Sequence, residues 1–364
     1  MHPPKILVAP LNWGLGHATR CIPVINELIS RNCIVWIAAG GNSLQLLRKE
    51  FPLLPFLRLD GYNIIYHNTK SGFRWTMVKQ IPAIIASVKR EHRWLKKAMD
   101  EYHFDVIISD NRYGLYSGKA FSVFITHQLG IKTGMGKLAD KLIQKINYRQ
   151  IRKFDECWVP DFKGTENLAG DLSHPAVLPP HTSYTGALSR FEKKEENKVY
   201  DLLIILSGPE PRRTIWEQVL LNELKTYKGK ALVVRGLPDC NDVMEVDGST
   251  AIVNFFSSGE LGAAIQQSEW VICRSGYTSV MDLVQLEHKA ILIPTPGQPE
   301  QEYLAQWLHQ NKIFYTCAEN AFSLQQSLRE AENFPFNFSV FRPFLSGYKK
   351  QIGNLIQQLA MPRH

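Results

Sequence analysis

Short apolar runs recur along this chain, each closed by polar turn residues, and between them the apolar positions shift to helical spacing. Lys5–Ala9, Cys33–Ala38, Asp105–Ser109 and Ala120–Thr126 read as buried strands, with helical patterning between them, most plainly near Ile84–Met99. A second series restarts at Asp201–Leu206 and continues through Ala231–Arg235, Ala251–Phe255, Trp270–Cys273 and Lys289–Ile293. Strands alternating with helices predict parallel sheets joined by right-handed crossovers. The two series are separated by a Pro-rich stretch, His174–Pro180, and a charged one, Arg190–Lys198, which is the expected linker. The pattern therefore predicts an α/β protein of two doubly wound, Rossmann-like domains facing each other across a cleft.

Composition narrows the class. A chain of 364 residues with 45% hydrophobic and 21% charged residues can bury two ordinary cores. The six cysteines are scattered, with no Cys-x-x-Cys pair and no Cys/His cluster, which argues against a structural zinc site or a disulfide framework and for a reducing compartment. A strand begins at Lys5, leaving no visible signal peptide, and the longest apolar patch, Ile81–Val88, is too short to cross a bilayer. The expectation is a cytoplasmic protein. A net charge of +8 suits an anionic substrate such as a nucleotide diphosphate, or an anionic membrane surface. No nucleic-acid motif occurs and the aromatics lie within apolar segments, so no nucleic-acid partner is expected.

The densest chemistry lies in two consecutive strand-to-helix turns. Cys273-Arg-Ser-Gly-Tyr-Thr-Ser-Val-Met-Asp282 closes one strand with Arg274, Ser275 and Gly276, the glycine expected at positive φ so that amides approach a ligand. A helix starting near Thr278 carries Asp282 one turn in, where a carboxylate can accept from a ribose diol. The next strand feeds Pro294-Thr-Pro-Gly-Gln-Pro-Glu-Gln-Glu-Tyr303. Ligands of open α/β sheets bind at such carboxyl ends.

These segments resemble the C-terminal half of glycosyltransferase family 28. The Cys-Arg-Ser-Gly run, the acidic residue eight positions after the arginine and the paired polar residues before an aromatic occur in the family's order. The resemblance implies the GT-B fold, a nucleoside-diphosphate (UDP) sugar donor, and inverting transfer to a hydroxyl acceptor. It gives Asp282 the ribose role, usually held by Glu, and Gln301 and Glu302 the sugar contacts; Glu302 stands where the family has Gln. It divides the chain into an acceptor-binding domain (1–189), a donor-binding domain (190–340) and a last helix crossing back (341–364).

The first strand opens into Leu11-Asn-Trp-Gly14-Leu-Gly16-His17-Ala-Thr-Arg20. A dinucleotide fingerprint would place glycine at Thr19 and an acidic residue after the second strand; both are absent, so no nicotinamide or flavin cofactor is expected. Gly14, Gly16 and His17 match the family's Gly-Gly-His loop, with Leu15 inserted. An imidazole at a helix N-terminus tends to stay neutral, which suits a base. Three candidates for the base remain: His17, Asp110 at the end of Val106–Asp110, and His127 at the end of Val123–His127, where the family carries a His-Glu-Gln run. For the diphosphate, the loop Ser207–Arg213 offers Gly208 and Arg212 or Arg213 before a helix, though Pro209 and Pro211 lack an N–H. Arg190 matches a family arginine after a glycine turn, and Arg274 and Phe255 complete the donor set. No Asp-x-Asp motif occurs and no metal is expected.

Lys137, Lys141, Lys145, Arg149 and Lys153 recur every four residues beside Leu138, Leu142 and Ile146. Such a basic amphipathic helix can rest on an anionic bilayer, which fits peripheral contact at the inner membrane face and a glycan or lipid-linked acceptor. The Tyr62–Trp75 region, rich in aromatic, Asn and basic groups, is a further candidate for the acceptor pocket. Two other classes share the donor pocket: a UDP-sugar 2-epimerase-like isomerase and a non-catalytic sugar-nucleotide-binding protein.

Overall fold

The computed structural model of the chain describes residues 2–62, 70–131, 136–237, 243–246 and 249–360. Chain contacts divide it into two compact units, Met1–Leu188 with Pro343–His364, and Ser189–Arg342. None of the described helices is long and apolar enough to cross a membrane.

The first unit begins with β1 (Lys5–Pro10), α1 (Leu15–Ser30), β2 (Ile34–Ala39), α2 (Gly41–Glu50) and β3 (Phe56–Arg58). It continues with α3 (Lys70–Tyr102), β4 (Val106–Asp110), β5 (Phe121–Ile125), α4 (Lys137–Ile151), β6 (Glu156–Val159) and β7 (Thr182–Tyr184). Its strands run parallel in the order β3-β2-β1-β4-β5-β6-β7. Because helices cover both faces of such a sheet, its strands are apolar on both sides. Thus every residue of β1 after Lys5 is buried, and so is all of β4.

The second unit holds β8 (Tyr200–Ile205), α5 (Arg212–Leu224), β9 (Ala231–Val234), β10 (Val243–Val246), β11 (Thr250–Val253) and α6 (Ser258–Gln266). There follow β12 (Ser268–Arg274), α7 (Tyr277–Leu286), β13 (Ala290–Ile293), α8 (Pro299–Gln310), β14 (Tyr315–Thr316) and α9 (Leu324–Glu332). The order is β10-β11-β9-β8-β12-β13-β14, parallel except for the β10–β11 pair. Trp216 of α5 shares one buried apolar cluster with Leu202, Ile204, Val233 and Ile272. The last helix, α10 (Gly347–Ala360), belongs to the first unit, where Arg31 donates to the Lys349 carbonyl at 3.1 Å and Gln351 to Glu156 at 3.0 Å.

All nine apolar runs form strands at or within a residue or two of the expected bounds. The same doubly wound plan in both units places each switch of crossover direction between a first strand and its neighbour. These are β1 and β4 in one unit, and β8 and β12 in the other. A crevice at the carboxyl ends of such a pair is where open α/β sheets take ligands.

At this edge of the first unit a charge is fully enclosed. Arg112 has no exposed surface; it donates to the carbonyls of Pro10 (2.8 Å), Asp60 (3.0 Å) and Leu59 (3.3 Å) and to Glu91 Oε1 (2.7 Å). Tyr62 donates to Glu91 Oε2 at 2.7 Å, as does the Gly114 amide at 3.2 Å. The pair thereby ties α3 to the end of β1 and to the loops after β3 and β4. Breaking a buried ion pair from one side leaves the other charge stranded. Arg112→Met should therefore destabilise the first unit by about 3–5 kcal/mol, measured as a lowered urea midpoint.

Candidate functional site

In the first unit the site grows from the turn after β1. The Leu11 amide donates to the Asp110 carbonyl at 3.0 Å, and Gly14, at φ 77°, turns the chain into α1. A side chain would be strained in that left-handed conformation, so glycine is what the turn requires. His17 falls in the first turn of α1 and Arg20 one turn later, on the same side. Asp110 ends β4 and His127 follows β5, so the parallel pairing of the three strands delivers both residues to α1.

The four side chains form one cluster. Asp110, with no exposed surface, is bound by Arg20 at both oxygens: Nε donates to Oδ2 at 2.7 Å and Nη2 to Oδ1. His17 Nδ1 lies 3.2 Å from Asp110 Oδ1 and 2.8 Å from Arg20 Nη2. Arg20 Nη1 lies 3.2 Å from His127 Nδ1, and the Cys21 thiol points to Asp110 Oδ2 at 3.7 Å. Burial pushes the Asp110 carboxyl upward, but the charge of Arg20 and the contacts with His17 outweigh it and hold the acid below the usual carboxylate range. For His17 burial comes first and Arg20 second; together they lower its basicity against the opposing pull of Asp110. The cluster thus keeps a neutral imidazole beside an ionised carboxylate. Arg20 was not read from the sequence as part of a site; its signal was the three-residue step from His17 along one helix face.

The second unit brings together the turns after β12 and β13. Ser275 Oγ donates to the Gln301 carbonyl at 3.0 Å, which joins them. Gly276 has φ −72° and not the positive value expected; it caps α7 in extended form, and a β-carbon there would meet nothing within 4 Å. Its contribution is open space beside the amides. Gln301 and Glu302 occupy the first turn of α8, where Gln301 Oε1 accepts from the Thr295 amide and Glu302 Oε1 from the Gly297 amide, each at 2.9 Å. They fix the shape of the loop that precedes them. Arg274 is buried, stacked 4.8 Å from the Trp216 ring centroid, with Nη2 2.6 Å from Glu319 Oε2. Glu319 and Trp216 were not anticipated.

Asp282 sits on α7 and is buried. Ser189 Oγ donates to it at 2.6 Å, and Arg190 Nε lies 3.9 Å away while Arg190 Nη1 donates to Ser258 at 3.1 Å. Gly208, at φ 110°, opens the loop after β8. Of the two arginines that follow, Arg213 is clamped by Glu210 and Glu217, whereas Arg212 is half-buried and close enough to Arg274 for the two charges to repel. Phe255 is half-buried beyond the end of β11.

Helix α4 carries Leu138, Leu142 and Ile146 outward, at 86%, 61% and 54% exposure, with Lys141, Lys145 and Arg149 exposed beside them. Lys153 lies past the end of the helix, its ammonium 4.9 Å from the Tyr116 ring centroid, so it leaves the stripe. The side chain of Lys137 lies outside the described residues. So do residues 63–69 and the side chains through Trp75, leaving Tyr62 alone of that candidate acceptor region in view.

Burial raises the Asp282 carboxyl from 3.8 to about 6, against the pull of Arg190 and Ser189. The folded chain therefore keeps this proton where the unfolded chain has lost it, and the stability contributed falls as pH rises from about 4 through about 6. The stability of the native protein minus that of Asp282→Asn should decline over that window, read from denaturant unfolding at a series of pH values.

The chain is similar to known proteins. Residues 220–337 match the glycosyltransferase family 28 C-terminal domain, and residues 5–123 match glycosyl transferase family 1. An uncharacterised glycosyltransferase of Methanosarcina acetivorans is 25% identical over 324 residues, covering 82% of this chain and 79% of the relative. The UDP-N-acetylglucosamine--N-acetylmuramyl-(pentapeptide) pyrophosphoryl-undecaprenol N-acetylglucosamine transferase of Prochlorococcus marinus is 28% identical over 153 residues, 39% of this chain and 40% of that protein. The crystal structure of the glycotransferase of kitacinnamycin superposes over 99% of both chains with a TM-score of 0.68 at 13% identity, a likeness of fold. The chain carries a glycosyltransferase family 28 C-terminal domain and is a glycosyltransferase of the GT-B fold.

Proposed function

We propose that this glycosyltransferase moves a sugar from a UDP donor to the hydroxyl of a lipid-linked acceptor, with inversion, and that His17 is its base. The observation that carries the reading is the contact of His17 Nδ1 with the buried Asp110 carboxylate, 3.2 Å apart at the switch point of the first sheet. Nε2 of the same ring makes no hydrogen bond among the described residues. An imidazole held at Nδ1 by a carboxylate can take a proton at Nε2. In the step, Nε2 removes the acceptor hydroxyl proton and the oxygen attacks the anomeric carbon. The bond from that carbon to the diphosphate oxygen breaks, and the leaving group departs with the electron pair. Asp110 and His127 orient the cluster and do not touch substrate.

The donor belongs to the second unit. Asp282 receives the ribose hydroxyls, exchanging its bond from Ser189 for bonds from the diol. Gly208 and the amides opening α5 and α7, with Arg212 nearby, neutralise the diphosphate. Arg190 and Arg274 hold the walls of this pocket, Phe255 flanks the base, and Gln301 and Glu302 present the loop that meets the sugar. Gly14 and Gly16 give the acceptor side close access to backbone. The name of the Prochlorococcus relative supports both the UDP-sugar and the lipid-linked acceptor. The exposed apolar and basic residues of α4 support contact with an anionic bilayer.

Three measurements test these assignments. UDP at millimolar concentration should raise the unfolding temperature through mass action, and Asp282→Ala should abolish the shift. His17→Asn should lower kcat by about 10²–10⁴-fold with UDP affinity retained; unchanged turnover would remove His17 from the mechanism. In flotation with anionic vesicles at low salt, the native protein should rise with the lipid, and the pair Leu142→Asp and Ile146→Asp should stay behind.

A further inference from the structure

We propose that Arg20 is a positioning residue that decides which ring nitrogen of His17 carries the hydrogen, because it competes with Asp110 for Nδ1. The inference rests on the reading of His17 as base and adds a control to it. A guanidinium only donates and does not give up its proton. Within this cluster the donors of Arg20 have named partners. Nε donates to Asp110 Oδ2 at 2.7 Å. Nη2 has two hydrogens, one for Asp110 Oδ1 and one for His17 Nδ1 at 2.8 Å. Nη1 meets His127 Nδ1 at 3.2 Å. In this arrangement His17 Nδ1 is an acceptor, and a neutral imidazole must then carry its hydrogen on Nε2.

Asp110 Oδ1 stands 3.2 Å from the same Nδ1 and asks for the opposite. A carboxylate can only accept, so engaging it requires Nδ1–H, which leaves the Nε2 lone pair open. One nitrogen cannot accept from Arg20 and donate to Asp110 together. With Arg20 on Nδ1, Nε2 presents a hydrogen and cannot take the acceptor proton. When Arg20 releases Nδ1 and keeps its bonds to Asp110, the hydrogen passes through solvent from Nε2 to Nδ1. Asp110 then accepts from Nδ1–H and the base is formed. The groups that face His17 are those of this cluster: Arg20 on its own helix, Asp110 from β4 and His127 after β5, with the Cys21 thiol behind Asp110. Arg20 is thus a latch on the base, set one helical turn from it.

The full chain labelled with ¹⁵N-histidine provides the test, with the His17 ring assigned from the spectrum of His17→Asn. Long-range ¹H–¹⁵N correlations at neutral pH should show the Nε2–H form in the native protein. Arg20→Lys keeps a cation beside Asp110 but loses the planar fork, and Arg20→Met removes the cation; both should shift the ring to Nδ1–H. If Arg20→Met fails to fold with Asp110 unpaired, the lysine variant decides. For a folded Arg20→Met, the acid limb of the transfer profile should move to higher pH. The ratio of rates at about pH 6 and about pH 8 should then fall about tenfold. A native ring already in the Nδ1–H form, or Nε2–H retained in the folded variants, overturns the role of Arg20 and leaves His17 as base. A tautomer that switches as described supports the role of Arg20 even where His17→Asn leaves turnover intact, a result that would instead sink the base assignment.

Discussion

β1 and β4 pair in parallel with Pro10 opposite Asp110, and much of the first unit is arranged around that register. The pairing closes a loop of about a hundred residues, and the connections from the two strands leave in opposite directions. Their carboxyl ends are therefore left uncovered by either crossover. Several polar residues gather at that opening. The turn after β1 leads into α1 with His17, the residue ending β4 is Asp110, and two residues later Arg112 returns to bind the Pro10 carbonyl. A slip of one residue would turn Asp110 to the opposite face of the sheet and strand Arg20 without its carboxylate. The charges thus specify the register as much as the register places the charges.

Buried ion pairs are poor sources of net stability, because the desolvation they suffer is comparable with the attraction they gain. Their positions here are informative for that reason. Arg20 with Asp110 and Arg112 with Glu91 lie at the carboxyl edge of the first sheet; Arg274 with Glu319 lies at the same edge of the second. The sheet interiors are apolar. These enclosed pairs stand at that edge, where Arg112 and Arg274 donate to loop carbonyls and Glu91 accepts from the Gly114 amide. Hydrophobic burial holds the sheets, and polar accounting holds the loops that bear function.

The sequence made the sheets legible because both faces of a parallel sheet are covered, so its central strands appear as uninterrupted apolar runs. It hid the margins for the same reason. β3, β7 and β14 have three residues or fewer, too short to register, and β6 opens on Glu156 with only three apolar residues after it. At the site, glycines, histidines and strand-ending acids announced themselves by residue type and position. Arg20 did not, since a lone arginine within an apolar helix face resembles any surface residue that reaches past its neighbours. Gln301 and Glu302 were visible as polar residues before an aromatic, but not their bonds to the Thr295 and Gly297 amides. Pattern identifies which residues can do chemistry; only the fold decides which of them are already bound to one another.

That distinction bears most on Asp282. Its carboxyl group is already held by Ser189, which stands next to Arg190 at the start of the second unit. On the same helix Glu287, at its C-terminal end, pairs with Lys193 and with Arg342, the last residue of the unit, so α7 grips both segments by which the chain enters and leaves. The contacts at Asp282 matter more because of its own poor solvation. A carboxylate forced to ionise in a buried place gains more from a second and third donor than an exposed one does. The same burial that penalises the ionised Asp282 therefore strengthens its hold on each donor that reaches it.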